Sequence, residues 1–411
     1  MKKALVLCGS LPQISLINEL KSRGYQAILA DMNANAPAVP YADRFYPVST
    51  LDVDGIRNIA VEEKVDMILS VCADQMLLVV AEISEQLGLP CYVNYQTSKD
   101  VSSKEYMKDI FVKGGVPSSK YIVRSTLTPD DIIGLKFPLI VKPVDAYSSK
   151  GVRKCENYEE LEDGFDEAVN VSRTDTAVIE EFVGGEEYSV DVYVENGVAK
   201  VLCIGMLSKT PQIGKFVICR ATYPSQITDT IKDKIADTAQ KIADAFHLVD
   251  TPMLIQLKVD GERISVIEFC SRAGGGNKFS LIKKLTGFDV IAAVLDLTLG
   301  NKPHVPEYRN DIFVVDEFVY CNEGTLDHVE GFEELHSEGL IDDFFIFRTK
   351  GSAFGEIKSS GDRLGYFSVS SKSQEELAKK HAEINSRIRA FSENGDDLIR
   401  HDYIALYMEK N

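Results

Sequence analysis

"MLIQLKVDGERISVIEFCSRAGGG", residues 253–276, reads as two apolar strands joined by an acidic, glycine-containing turn and followed by a glycine run. A three-residue turn over Asp260, Gly261 and Glu262 sets positions 254, 256 and 258 on one face with 264, 266, 268 and 270, because side chains alternate along a strand. Gln256, Glu268 and Cys270 then look the same way. Two oxygen-bearing side chains, with Arg272 just beyond, suit a magnesium ion that keeps its other positions for water and substrate phosphates. The competing reading is a buried glutamate–arginine pair that serves only the fold.

Two upstream stretches carry a complementary pattern. In "FPLIVKPVDAYSSKGV", residues 137–152, Lys142 ends a buried strand and a loop of small residues follows it. Such a loop, through Ser149, Lys150 and Gly151, can fold backbone N–H groups and a lysine around phosphates, although a solvated lysine at a strand end is the commoner occurrence. Further on, "VIEEFVGGEEYSVDV", residues 178–192, concentrates Glu180, Glu181, Glu186 and Glu187 around apolar strands. Lining a pocket, the backbone near Glu181 and Val183 could read a purine edge while Glu187 accepts from ribose hydroxyls. The alternative is a solvated turn.

Around this centre the chain alternates. "KALVLCGS" (3–10), the helical "PQISLINELKSRGY" (12–25) and "QAILADMN" (26–33) make a βαβ unit, continued by "VDMILSV" (65–71), "DQMLLVVAEISEQLG" (74–88) and a strand "LPCYVN" (89–94). That is a parallel, doubly wound domain. After the first strand the second and third glycines of a dinucleotide fingerprint are missing, which argues against nicotinamide chemistry there. "SSKEYMKDIFVKGGVP" (102–117) reads as a helix with Ser102 and Glu105 as its capping box. An α+β body follows, with one long amphipathic helix at "TDTIKDKIADTAQKIADAFH" (228–247). The tail has strands "DIFVVDEFVYC" (311–321) and "RLGYFSVS" (363–370) and a charged helix "SQEELAKKHAEINSRIRAF" (373–391).

Composition narrows the classes. The 411 residues exceed what one hydrophobic core usually serves, and 45% hydrophobic content supports several domains. A formal charge of −18 with dispersed lysines disfavours nucleic acid and anionic membrane as partners. No apolar run approaches the roughly 20 residues of a membrane span, and the N-terminus lacks a signal-peptide cleavage pattern, so a cytoplasmic location is expected. The eight cysteines contain no CxxC pair and mostly sit in apolar stretches, as reduced core cysteines do.

In this order, the residues resemble the ATP-grasp superfamily over about residues 1–300, with an echo in the C-terminal part. The succession carries the resemblance: Lys104 in the helix before the lid, Lys142 on the lid strand, the small-residue loop, "EEFVGGEEYSV", "IQLKV" and "IEFCSRAGGG". It implies an ATP-grasp fold of mixed α/β and α+β class. The expected division is a Rossmann-like parallel-sheet domain (1–98), a connecting helix (99–119), a lid (120–185), a central subdomain (186–305) and a C-terminal α+β subdomain (306–411). It implies further that Lys104 and Lys142 bind ATP phosphates, that Glu180, Glu181, Phe182 and Val183 contact adenine, and that Glu187 holds the ribose. Gln256 and Glu268 are implied to ligate Mg2+ or Mn2+. Most members have an acid where Gln256 stands, but the carbamoyl-phosphate-synthetase-like branch is similar to this chain in using glutamine, and Cys270 stands where the family usually has asparagine. Arg272, together with Lys142, would stabilise the transferring phosphoryl group.

The implied activity is that of an ADP-forming carboxylate–amine ligase, which activates a small carboxylate as an acyl phosphate and joins it to an amine. "RAGGGNKFS" (272–280) would line the acceptor side, with Lys278, Arg220 and Asp74 as further candidates for substrate contact, although an exposed charge without a role is the commoner reading of each. The family is often dimeric, which leaves a homodimer open without the sequence deciding the oligomeric state. A biotin-carboxylase-like enzyme shares the fold, although its lid loop is usually much richer in glycine than "DAYSSKGV". A weakly catalytic ATP-binding protein is the other alternative, if Cys270 disables the metal site.

Overall fold

The computed structural model describes residues 2–146, 150–211 and 216–410. The N-terminal unit is a four-stranded parallel sheet in the order Arg44–Tyr46, Tyr25–Ala30, Lys2–Leu7, Met67–Leu69. The strand Lys2–Leu7 shows why its sequence is an unbroken apolar run. Ala4 and Val6 pack with Leu16, Ile17 and Leu20 on one face, while Leu5 and Leu7 pack with Ile56, Met76 and Ile83 on the other. A strand covered on both faces has no polar side to show.

"LPCYVN" forms no strand. It runs as irregular chain between the helices Asp74–Leu87 and Tyr95–Ser102, where Pro90 has no N–H to give to a ladder. The expected capping box at Ser102 and Glu105 does not form, and a simple cap one residue on replaces it. Ser103 caps the helix Lys104–Lys113, accepting from the Tyr106 N–H at 3.3 Å, and Ser102 instead donates to the Ser98 carbonyl at 2.7 Å, closing the helix before.

A small antiparallel sheet follows, in the order Tyr121–Arg124, Ala177–Glu181, Leu139–Pro143, Arg153–Cys155. The helix Tyr158–Val171 covers it, burying Leu161, Phe165 and Ala168 against Leu139, Val141 and Ile179. The large sheet has eight strands, from Arg263–Cys270 at one edge through Thr251–Asp260, Glu186–Glu195, Val198–Lys209 and Ile218–Tyr223 to Phe313–Val319, Gly365–Ser371 and Asp343–Ile346. The C-terminal strands therefore extend the same sheet. The amphipathic helix Asp229–Ala245 lays Ile231, Ile235, Ala239 and Ile242 on it, together with Phe111 of the helix Lys104–Lys113. Among the described residues, no helix is long and apolar enough to cross a membrane.

Arg220, a candidate for substrate contact, belongs to this framework instead. It is 3% exposed, and its guanidinium donates to both Glu317 oxygens, at 2.5 and 3.2 Å, and to the carbonyls of Tyr403 and Ile404. Glu317 is directly opposite on the neighbouring strand and also meets His381 at 2.9 Å. Removing one partner of such a pair leaves an uncompensated buried charge, so Arg220→Met should destabilise the protein by about 3 kcal/mol. Urea unfolding of the variant measures this directly. An unfolding midpoint equal to that of the unaltered chain would show that the pair contributes nothing.

Candidate active site

The lid sheet and the large sheet enclose a cavity of about 150 Å³. Lys104, Lys142, Lys150, Glu180, Glu181, Phe182, Val183, Glu187, Gln256 and Glu268 all line it. Ser149 lies outside the described residues. Gly151 is not part of the wall. Its φ of +70° and the 2.9 Å that would separate an added Cβ from the Pro143 ring make it the glycine that turns the loop back onto the strand. Gly185 is required more strictly, since a Cβ there would sit 2.0 Å from the Val259 carbonyl oxygen. This close approach seats the end of the lid segment on the large sheet.

Lys142 and Glu180 come from neighbouring strands, in which Lys142 pairs with Val178 and Ile140 with Glu180. Lys142 Nζ donates to Glu180 Oε1 at 2.6 Å. The other carboxylate oxygen accepts from Lys108 Nζ at 2.6 Å and Ser119 Oγ at 2.7 Å. Burial alone would raise the Glu180 carboxyl, but the two ammonium groups outweigh it and hold the carboxyl well below its usual range. The N–H groups of Glu181 and Phe182 donate to the carbonyls of Lys120 and Pro138, both at 2.9 Å. Those two donors thus belong to the lid's own backbone. The Phe182 ring has Lys154 Nζ at 4.5 Å and Lys258 Nζ at 5.3 Å from its centroid.

Glu187 accepts from Lys209 Nζ at 2.8 Å. Lys209 lines the cavity, and sequence reading missed it. The signal was present, because Lys209 ends the apolar strand Val198–Lys209 just as Lys142 nears the end of its own. Lys108 was missed too, although it stands one helical turn from Lys104 on the same helix face. Lys104 Nζ donates to the Ala146 carbonyl at 2.8 Å and lies 3.9 Å from Glu268 Oε2.

At the edge of the large sheet, Gln256 and Glu268 are direct cross-strand partners, as are Leu254 and Cys270. The turn differs from the expected one. Asp260 pairs with Arg263, so only Gly261 and Glu262 turn the chain, and an irregularity beyond Gln256 restores the register by skipping Ile267. Gln256, Glu268 and Cys270 share a face, but Val266 and Ile264 pair with Leu257 and Val259 and are buried. Gln256 and Glu268 offer two hard oxygen donors, and the Glu268 side chain remains 32% exposed toward the cavities. Among the described residues no three acidic, histidine or cysteine side chains gather as a metal cage. A two-oxygen site of this kind fits a magnesium ion that also takes phosphate oxygens and water. Cys270 is not a ligand of that type: burial, and then the negative charge of Asp74, push its thiol well above the ordinary range, and it is hydrogen-bonded to Asp74.

A second cavity, about 270 Å³, shares Gln256 and Glu268 with the first and continues past Arg272. Arg272 forks onto Asp74, Nε to Oδ1 at 2.7 Å and Nη2 to Oδ2 at 2.6 Å, and Nη1 donates to the Ala273 carbonyl at 2.7 Å. Asp74 opens the helix Asp74–Leu87 of the parallel-sheet domain, so that domain orients the arginine. Lys278 meets Ser189 and, at 3.0 Å, Asp191. Asp316, Asn277, Tyr223 and Arg363 also line this cavity and were not anticipated. Asp316 receives the Asn277 amide at 2.8 Å, and burial pushes its carboxyl up to about 6. An acid inside the apolar strand Phe313–Val319 is the same signal that singled out Glu268.

This combination of lid, sheet and paired cavities agrees with the family comparisons. Residues 135–280 match the ATP-grasp domain family, and residues 317–391 match L-amino acid ligase C-terminal domain 2. The chain therefore carries an ATP-grasp domain over residues 135–280. It is 30% identical over 253 residues to alanine–anticapsin ligase of Bacillus subtilis (strain 168), which covers 56% of this chain and 53% of that protein. It is 23% identical over 395 residues to the carbamoyl phosphate synthase large chain of Clostridium acetobutylicum, covering 90% of this chain and 36% of the synthase chain. The chain thus spans about half of the first and about a third of the second. The crystal structure of an L-amino acid ligase from Bacillus licheniformis superposes with a TM-score of 0.80 at 22% identity, covering 96% of this chain and 99% of that one.

Proposed function

We propose that the chain is an ATP-dependent, ADP-forming carboxylate–amine ligase acting on amino acids. The observation that carries this reading is the meeting of two cavities at the Gln256–Glu268 pair, with lysines on one side and Arg272 on the other. ATP lies on the lid side, its phosphates near Lys104, Lys142 and Lys209. Glu180, Glu181, Phe182 and Val183 border the base, Glu187 the ribose, and Lys150 and Gly151 belong to the loop over the phosphates. A magnesium ion held by Gln256 and Glu268 would neutralise the phosphate charge. The γ-phosphoryl group then faces the second cavity, where a carboxylate oxygen attacks it and ADP leaves. Arg272, pinned by Asp74, stabilises the charge on the transferring group and on the acyl phosphate. An amine displaces phosphate and forms the amide.

The second cavity carries Arg272 and Arg363 beside Asp316 and Glu268. That mixture suits a zwitterion, and the names of the ligase relatives bring amino acids to mind as both carboxylate and amine. The test omits the amine. With ATP, magnesium and the correct amino acid, hydroxylamine should trap a hydroxamate in step with ADP. Release of AMP in place of ADP would assign the chain to adenylating chemistry and refute this mechanism.

A further inference from the structure

Lys108 has no part in the cavity wall, yet it is a cation 2% exposed and aimed at a residue that has one. It shares its helix face with Lys104, one turn earlier. Its ammonium bonds to Glu180 Oε2 at 2.6 Å and to Ser119 Oγ at 3.2 Å, and lies 5.9 Å from the centre of the Tyr121 ring. Lys142 holds Oε1 of the same carboxylate, also at 2.6 Å. One buried anion therefore serves two buried cations. A pair alone would satisfy the charges, so the second lysine needs a reason.

We propose that Lys108 is a positioning residue, the standing counter-ion of Glu180, which frees Lys142 to turn from the carboxylate to a nucleotide phosphate. This rests on the reading of Lys142 as a phosphate-binding lysine. With Lys108 present, departure of Lys142 leaves Glu180 paired with one ammonium and bonded by Ser119, a neutral and satisfied arrangement. Without Lys108 the same movement strands a carboxylate that is 6% exposed, and ATP must compete with Glu180 for Lys142, the one cation left to it among the described residues. The environment agrees: burial draws the Lys108 pKa down while Glu180 opposes that shift, and the net effect on Lys142, despite its burial, is upward.

The experiment is a double-mutant cycle read as the KM for ATP and kcat, with melting temperatures recorded for each variant. Lys108→Met should raise the KM for ATP about tenfold or more, with a smaller change in kcat, because it strengthens a ground-state competitor of ATP rather than removing a group from the reaction. Lys108→Arg, which keeps the cation, should stay within about threefold of the unaltered enzyme. In a Glu180→Gln background, where no carboxylate can be stranded, adding Lys108→Met should shift KM by less than about twofold. An equal tenfold penalty in both backgrounds overturns the proposal, as does an unchanged KM in Lys108→Met. Should Lys108→Met fail to fold, Ser119→Ala removes a hydrogen bond from the same oxygen and should raise KM about threefold, and no rise overturns the proposal. Lys142→Ala separates the two layers: if it leaves ATP affinity unaltered, the phosphate role of Lys142 falls, and the counter-ion role with it.

Discussion

Arg272→Ala is expected to lower kcat for substrate-dependent ADP release by about a thousandfold or more, the scale seen when an arginine that stabilises a transferring phosphoryl group is removed. Of the five N–H donors on a guanidinium, three are committed to Asp74 and the Ala273 carbonyl. Among the described residues the other two have no further acceptor and are left for an incoming oxygen. ATP affinity should change by no more than a few-fold, because Arg272 lines the second cavity and not the first. Arg272→Lys should recover little, since an ammonium cannot reproduce the two-pronged contact with Asp74 that sets the direction of the group. Calorimetric ATP binding beside a coupled ADP assay measures both quantities. Turnover within tenfold of the unaltered enzyme would remove Arg272 from the reaction.

Glu268→Ala should cost a similar factor, about a thousandfold in turnover, through the several kcal/mol of charge stabilisation that a bound divalent ion supplies. The mark of the metal role is the accompanying magnesium dependence. The half-saturating magnesium concentration should rise more than about tenfold in Glu268→Ala. It should fall in Gln256→Glu, which places a second carboxylate directly across the strand pair from Glu268. A magnesium titration of ADP release in both variants tests this. Equal magnesium dependence in all three proteins would leave Glu268 as the partner of Lys104, 3.9 Å away, and nothing more.

Both predictions concern residues visible from local pattern, and that visibility had limits. The common face of Gln256, Glu268 and Cys270 followed from the two-residue period of a strand. The turn itself is one residue shorter than the three-residue loop the sequence suggests, and the skip at Ile267 absorbs the difference. The capping serine was misplaced by one position for a related reason: Ser102 and Ser103 are both good caps, and only the end of the helix Tyr95–Ser102 decides which hydroxyl is free. "LPCYVN" looked like a strand because apolar content does not report whether a neighbouring edge is there to receive it.

What the amino-acid sequence determined by itself is the repertoire. It set the alternation of strands and helices, the apolar runs that must be covered on both faces, the lysines and acids at strand ends and, through their order, the resemblance to the ATP-grasp superfamily. Tertiary structure decided the partners. Lys108 meets Glu180 across 72 residues of chain, and Arg272 meets Asp74 across 198. Arg220, which by sequence could be a substrate contact or an exposed charge without a role, is neither, and is enclosed with Glu317 and the C-terminal helix. Hydrophobic periodicity is a local property, written in neighbouring residues. The role of a charged group depends on which opposite charge the closed chain brings to it and on how much water is left between them, and neither is set until the sheets have packed.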